Sequence, residues 1–81
     1  MMEKEMTKNI GREILGALCK KYEADIASAL TNIEVYNTNP AGIGEHADIV
    51  SAVDSEVVKL ANADDKLDTL IKFFKASLRP Q

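Results

Sequence analysis

Apolar residues recur along this chain in steps of three and four. In the first half Leu15, Cys19, Tyr22, Ile26, Ala29, Ile33 and Tyr36 are spaced 4, 3, 4, 3, 4 and 3. In the second half Val50, Val53, Val57, Leu60, Asp64, Leu67, Ile71, Phe74 and Leu78 alternate 3 and 4. A mean spacing of about 3.5 residues places each set on one stripe of an α-helix. Asp64 is the one charged member. Leu18 and Leu30 widen the first stripe, and Ile49 and Leu70 the second. That width suits a helical bundle better than a two-stranded seam. No strand-like alternation is sustained; the closest, Ile33-Glu34-Val35-Tyr36, is short and isolated.

One break interrupts the pattern. Pro40 cannot continue a helix interior, and Asn39 before it is biased out of the helical region. Gly42 and Gly44 follow within four residues. The pattern predicts a helix over about 7–37, a loop over 38–44 and a helix over 45–78. Thr7 is the expected first cap, with Asn37 or Asn39 at the end of that helix. Gly44, or an earlier start at Asn39-Pro40, opens the second. Glu45 and Asp48 in its first turn, and Lys72, Lys75 and Arg79 near its end, suit the helix dipole. Pro80 marks the stop. Gly11 and Gly16 each cost about 1 kcal/mol against Ala. Residues 1–15 are therefore expected to fray or to form a separate short helix; alternatively, Gly16 admits a close helix approach. Matched lengths and a short connection predict an all-α, antiparallel two-helix hairpin.

Two helices cover each other on one side only. The stripes are wider than that, so a lone hairpin would leave Leu30, Ile49, Val53, Leu70 or Phe73 partly wet. The expected remedy is a homodimer that completes a four-helix bundle. Its core would comprise Leu15, Tyr22, Ile26, Leu30, Ile33, Val50, Val53, Val57, Leu60, Leu67, Ile71 and Phe74. Asp64 inside the stripe either sets register at a cost in stability or faces a wet gap at the bundle edge.

Length and charge narrow the functional classes. Eighty-one residues make at most one domain with a thin core. The chain is 46% hydrophobic and 28% charged, a globular composition. One cysteine forbids an internal disulfide framework. No apolar run reaches the ~18 residues of a membrane span, and the N-terminal stretch does not resemble a signal peptide. The expected location is a reducing cytoplasm. A net charge of −3 offers nothing to nucleic acid. That charge is unevenly placed: +2 over 1–21, −7 over 22–56 and +2 over 57–81. In a hairpin the tip is acidic and the end carrying both termini is basic. An antiparallel dimer would lay acidic tip on basic base, whereas a parallel one would oppose two acidic tips. The plainer alternative is that both patches are solvated faces.

The tip is the one stretch dense enough to suggest chemistry. Asn39, Pro40, Gly42, Ile43, Gly44, Glu45, His46 and Asp48 form the expected interaction tip. Gly42-Ile43-Gly44-Glu45-His46-Ala47 matches the GxGxxA form of a dinucleotide fingerprint, which needs a βαβ unit absent from this pattern. The competing reading is a reversing loop with Ile43 plugging the bundle end. His46 with Glu45, Asp48 and Glu34 is a candidate metal set. Adjacent Glu45 and His46 point about 100° apart on a helix, so the expectation is no metal and no cofactor. Cys19 sits on the stripe, where an inert thiol is the default. Tyr22 and Tyr36 are expected to turn rings inward and hydroxyls to water. No Ser-His-Asp set, phosphate loop or paired carboxylate stands out, so the chain is not expected to be an enzyme.

The run Asn39-Pro40-Ala41-Gly42-Ile43-Gly44-Glu45-His46-Ala47-Asp48-Ile49-Val50 resembles a segment in small uncharacterised proteins of tailed bacteriophages. The similarity continues through Leu60-Ala61-Asn62-Ala63-Asp64-Asp65-Lys66-Leu67 and covers residues 22–74, about two-thirds of the chain. The resemblance implies a phage-encoded protein made in a bacterial cytoplasm, with this tip joining two helices, and no known activity. Residue pattern and resemblance together predict a self-associating interaction module that binds a protein partner or assists assembly. The alternatives are a small-ligand or ion binder at 42–48, and a membrane-surface helix through 66–79.

Overall fold

The structure, a computed structural model, describes residues 2–38 and 46–78, with side chains over 10–38 and 48–76. Two helices account for them: α1, Met2–Thr38, and α2, His46–Leu78. They pack lengthwise into a rod of 62 × 19 × 16 Å. Side chains that compete with the helical backbone are folded back onto it. The hydroxyls of Thr31, Thr38 and Thr69 donate to the carbonyls of Ala27, Glu34 and Asp65, each four residues earlier. The Thr38 hydroxyl also reaches, at 3.4 Å, the carbonyl of Val35, one of the last four of α1.

α1 runs unbroken from Met2, so Thr7 lies inside it and is not its cap. The start is not a separate short helix. A Cβ at Gly11 or Gly16 would meet nothing within 4 Å. Within the hairpin neither glycine has a close neighbour. α2 has Asp48 in its first turn and Lys75 in its last, both favourable to the dipole. At Phe74 it leaves helical geometry (φ −128°, ψ 24°). No proline or glycine stands beside this kink.

Two contacts between helices fix the direction and register. Asn32 meets Glu56, and Lys66 lies over the ring of Tyr22. Ten residues back along α1 is ten residues forward along α2. The pair is an antiparallel hairpin.

The seam differs from the expected stripe by one residue on α2. Ile49, Val53, Glu56, Leu60, Ala63, Leu67 and Leu70 are buried or half-buried, while Val50, Val57, Asp64 and Ile71 are exposed. Val53, Leu60 and Leu67 of the expected stripe belong to both sets, as do Ile49 and Leu70, expected to widen it. On α1 the expected stripe holds from Leu15 to Tyr36. The reason lies in size. Among the described residues the buried apolar side chains are Ala29 and Ala63, 2% and 4% exposed. Interaxial distance follows the side chains at the contact, and alanines allow the closest approach. The Ala63 phase of α2 therefore takes the seam over the Val57–Ile71 phase. Phe74 stays exposed at the kink. Of the side chains expected to be partly wet, Leu30 and Phe73 are exposed, and Ile49, Val53 and Leu70 are half-buried.

Candidate functional site

The two long sides of the hairpin carry opposite chemistry. An α-helix turns about 100° per residue. From the seam position Ala29, Ser28 therefore points to one side and Leu30 to the other. From Ala63, Asn62 and Asp64 diverge in the same way. In an antiparallel pair, equal offsets on the two helices fall on the same side of the rod. The structure agrees, since Ser28 and Asn62 line one shared groove. Leu30 and Asp64 then belong to the opposite side.

The groove side is polar. It is an open cleft of about 340 Å³ lined by Asp25, Ser28, Asn32, Lys59, Asn62 and Lys66, with Ala29, Ala63 and Glu56 on its floor. Glu56 is only 4% exposed, an unusual place for a carboxylate. Both of its oxygens are satisfied. Asn32 Nδ2 donates to Oε1 at 2.5 Å, and Lys59 Nζ donates to Oε2 at 3.0 Å. The Asn32 bond first, and Lys59 second, hold the Glu56 carboxyl below its ordinary range against the opposing effect of burial. Further towards the base, the Lys21 and Lys66 Nζ atoms both approach the Tyr22 ring, 5.9 and 5.7 Å from its centroid. Lys21 also pairs with Asp25 at 2.9 Å. This side is thus closed by its own hydrogen bonds and charge pairs. The exposed Ile10, Ile14 and Phe73 at its basal end, and Val35 and Val58 on its outer flank, interrupt the polarity.

The opposite side is apolar and unpaired. Ile26 and Ile33 of α1 and Val53, Leu60 and Leu67 of α2 emerge half-covered from the seam. Beyond them stand the more exposed Leu30, Val50, Val57 and Ile71, each about half open to solvent. Leu30 is 51% exposed at the middle of the row. Asp64 stands among the α2 residues of this side with Asp68 at its rim, and Glu23 and Glu34 rim it on α1. The half-buried thiol of Cys19 lies further along the same flank.

The remaining expected site residues fall elsewhere. Asn39, Pro40, Gly42, Ile43, Gly44 and Glu45 lie outside the described residues, and so does the side chain of His46. Of the candidate metal set, Glu34 and Asp48 are described, and both are exposed. Among the described residues no group of three His, Cys, Asp or Glu side chains comes together. No described helix is long and apolar enough to cross a membrane. The Asn32–Glu56–Lys59 cluster was not anticipated. Its signal was faint: a glutamate in the same heptad position as Ile49, Ala63 and Leu70. No protein-family model, curated protein or solved structure matches the chain.

Proposed function

We propose that this chain is a non-enzymatic helical interaction module. It self-associates as a homodimer, completes a four-helix bundle and uses surfaces left outside the bundle to meet a protein partner. One observation carries the reading: among the described residues the buried apolar side chains are two alanines, and a row of Leu, Val and Ile stays uncovered on one side. A core that small supplies little stability by itself. The area points the same way. A compact monomer of 8.9 kDa exposes about 4,800 Å². This chain exposes 6433 Å². The excess is ample for a standard interface, which takes about 800 Å² from each partner.

The non-enzymatic part rests on the polar side. A carboxylate held ionised by two donors is a poor general acid or base near neutral pH. The groove also mixes both signs of charge, which suits neither a phosphate backbone nor a cofactor phosphate. On the resemblance of the 39–50 run, the setting is a phage-infected bacterial cytoplasm. Light scattering across micromolar concentrations tests the reading: a dimer is expected, and a monomer throughout would overturn it.

A second reading has one observation behind it. Phe73 is 67% exposed near the basal end of α2, with the Lys72 ammonium 5.4 Å from its ring centroid. That pairing suits the surface of an anionic membrane. Salt-sensitive co-sedimentation with anionic vesicles would support it, and no sedimentation would remove it.

A further inference from the structure

We infer that the apolar side is covered by a second copy of this chain, turned about a two-fold axis that crosses the rod at the level of Leu30 and Leu60. α1 then lies antiparallel on α1 of the partner, and α2 on α2. The inference rests on the self-association reading and gives it a surface, a direction and a register.

Position along the rod comes first. The exposed apolar row on α2 runs from Val50 to Ile71, and its middle is Leu60. The Asn32–Glu56 and Tyr22–Lys66 contacts place Leu30 within one helical turn of that level on α1. A self-complementary surface has its axis at its own midpoint. There each Leu30 meets the partner's Leu30, and each Leu60 the partner's Leu60. Val53 meets the partner's Leu67. Leu30 also has the right direction, about 100° from the seam residue Ala29 and so perpendicular to the plane of the hairpin.

Area comes second. From Val50 to Ile71 the row is about 32 Å long at 1.5 Å per residue. Across the 19 Å width of the rod, its flat footprint is about 600 Å². With side-chain relief this approaches the ~800 Å² per partner of a stable pair.

Charge selects the direction. Among the described residues, the part of the rod between this level and the tip carries Glu34, Asp48, Asp54 and Glu56 against Lys59 alone. Towards the other end Arg12, Lys20, Lys21, Lys66, Lys72 and Lys75 are balanced by Glu13, Glu23, Asp25, Asp64, Asp65 and Asp68. A two-fold axis across the rod keeps the two acidic ends apart, each over the partner's charge-balanced end. An axis along the rod would set the two acidic ends side by side. A different protein seated on this surface would need no such self-complementarity about Leu30 and Leu60.

Disulfide trapping in the full-length chain tests the geometry. In a Cys19→Ser background, Leu30→Cys should oxidise to a covalent dimer without a second variant, because the axis brings the two sites within disulfide reach, Cα–Cα about 4.4–6.8 Å. Val53→Cys should not link to itself, but should link when mixed with Leu67→Cys. Suppose instead that light scattering finds a dimer, yet Leu30→Cys links only when mixed with Leu60→Cys. That would establish the arrangement with the axis along the rod and overturn this inference, leaving self-association intact. A dimer that links in none of these combinations would also overturn it, by placing the contact on another surface. A monomer would overturn the self-association reading itself. Leu30 is exposed in the hairpin, so the variant should keep its helical circular dichroism, and that measurement separates loss of pairing from loss of fold.

Discussion

Ser28 and Leu30 stand one residue to either side of Ala29 and belong to different surfaces. On the Ser28 side every close polar approach is answered within the chain: Asn32 and Lys59 on Glu56, Lys21 on Asp25, Lys66 on Tyr22. On the Leu30 side the exposed apolar residues have only solvent before them. The two sides divide the work of folding. Polar contacts are directional, so they set which residues of α1 and α2 lie level. Their net contribution to stability is modest, because water offers the same bonds in the unfolded chain. Burial supplies most of a fold's stability. In this hairpin the side best placed to supply it is not yet buried.

The sharpest way to break the contrast is to place the same charge on each side in turn. Leu30→Glu should weaken self-association about 100-fold, since a central apolar anchor carries roughly 2 kcal/mol or more of an interface. Ser28→Glu should leave the oligomeric state unchanged. Analytical ultercentrifugation over a dilution series reads both. Equal effects from the two variants would mean that the contrast does not govern association.

The seam between the sides gives the next effect. Ala63→Leu inserts a large side chain where the helices come closest. Overpacking of this kind costs about 1–3 kcal/mol. Ala61, two residues earlier, is exposed, so Ala61→Leu should cost little. Thermal unfolding that ranked these two variants in the opposite order would place the seam elsewhere.

Much of this contrast is legible in the sequence, and the illegible part has a physical reason. The 3- and 4-residue spacing and the break at Asn39-Pro40 suffice for two helices that pack on each other. Periodicity also reveals that the stripes are too wide for one partner. What it cannot decide on α2 is which half of the stripe turns inward. Val50, Val57 and Ile71 are larger and more apolar than Glu56 and Ala63, so a count of apolar residues favours them. Packing favours what lets the backbones approach, and so it favours Ala63. Asp64 and Glu56 exchange places for the same reason: Asp64, expected inside the stripe, is exposed, and Glu56 is enclosed. A buried glutamate becomes legible only with its partner, and Asn32 lies 24 residues away. The kink at Phe74 has no signal in the residues beside it.

A smaller effect separates Glu56 from the rest of the seam. Its carboxyl is held below the ordinary value of 4.5 in the folded chain, chiefly by Asn32. A depressed carboxylate contributes stability that is full above the unfolded value and is lost as pH falls through the folded one. The hairpin should therefore lose stability on acidification below about pH 4.5. Asn32→Ala removes the largest cause, so the acid limb should move to higher pH and shrink. Glu56→Gln should abolish it, because no charge remains to protonate. Chemical denaturation from pH 3 to 7 measures this. An acid limb unchanged in Asn32→Ala would show that the carboxylate does not depend on its amide partner.

The smallest expected effect lies on the polar side alone. Lys66 reaches from α2 to the Tyr22 ring of α1. Lys21, also near the ring, comes from α1 itself. Only the Lys66 contact joins the two helices. A cation–π contact at an exposed site contributes about 0.5–1 kcal/mol. Lys66→Ala should lower stability by roughly that amount, and Lys66→Arg should retain it. A double-mutant cycle with Tyr22→Leu isolates the pair from the lost side-chain stem. If the polar side mainly sets register, the coupling should be small and the dimer unaffected. A coupling as large as the Leu30→Glu effect would mean that the polar side stabilises the hairpin as strongly as the apolar side stabilises the pair. The division of work between the two sides would then have to be given up.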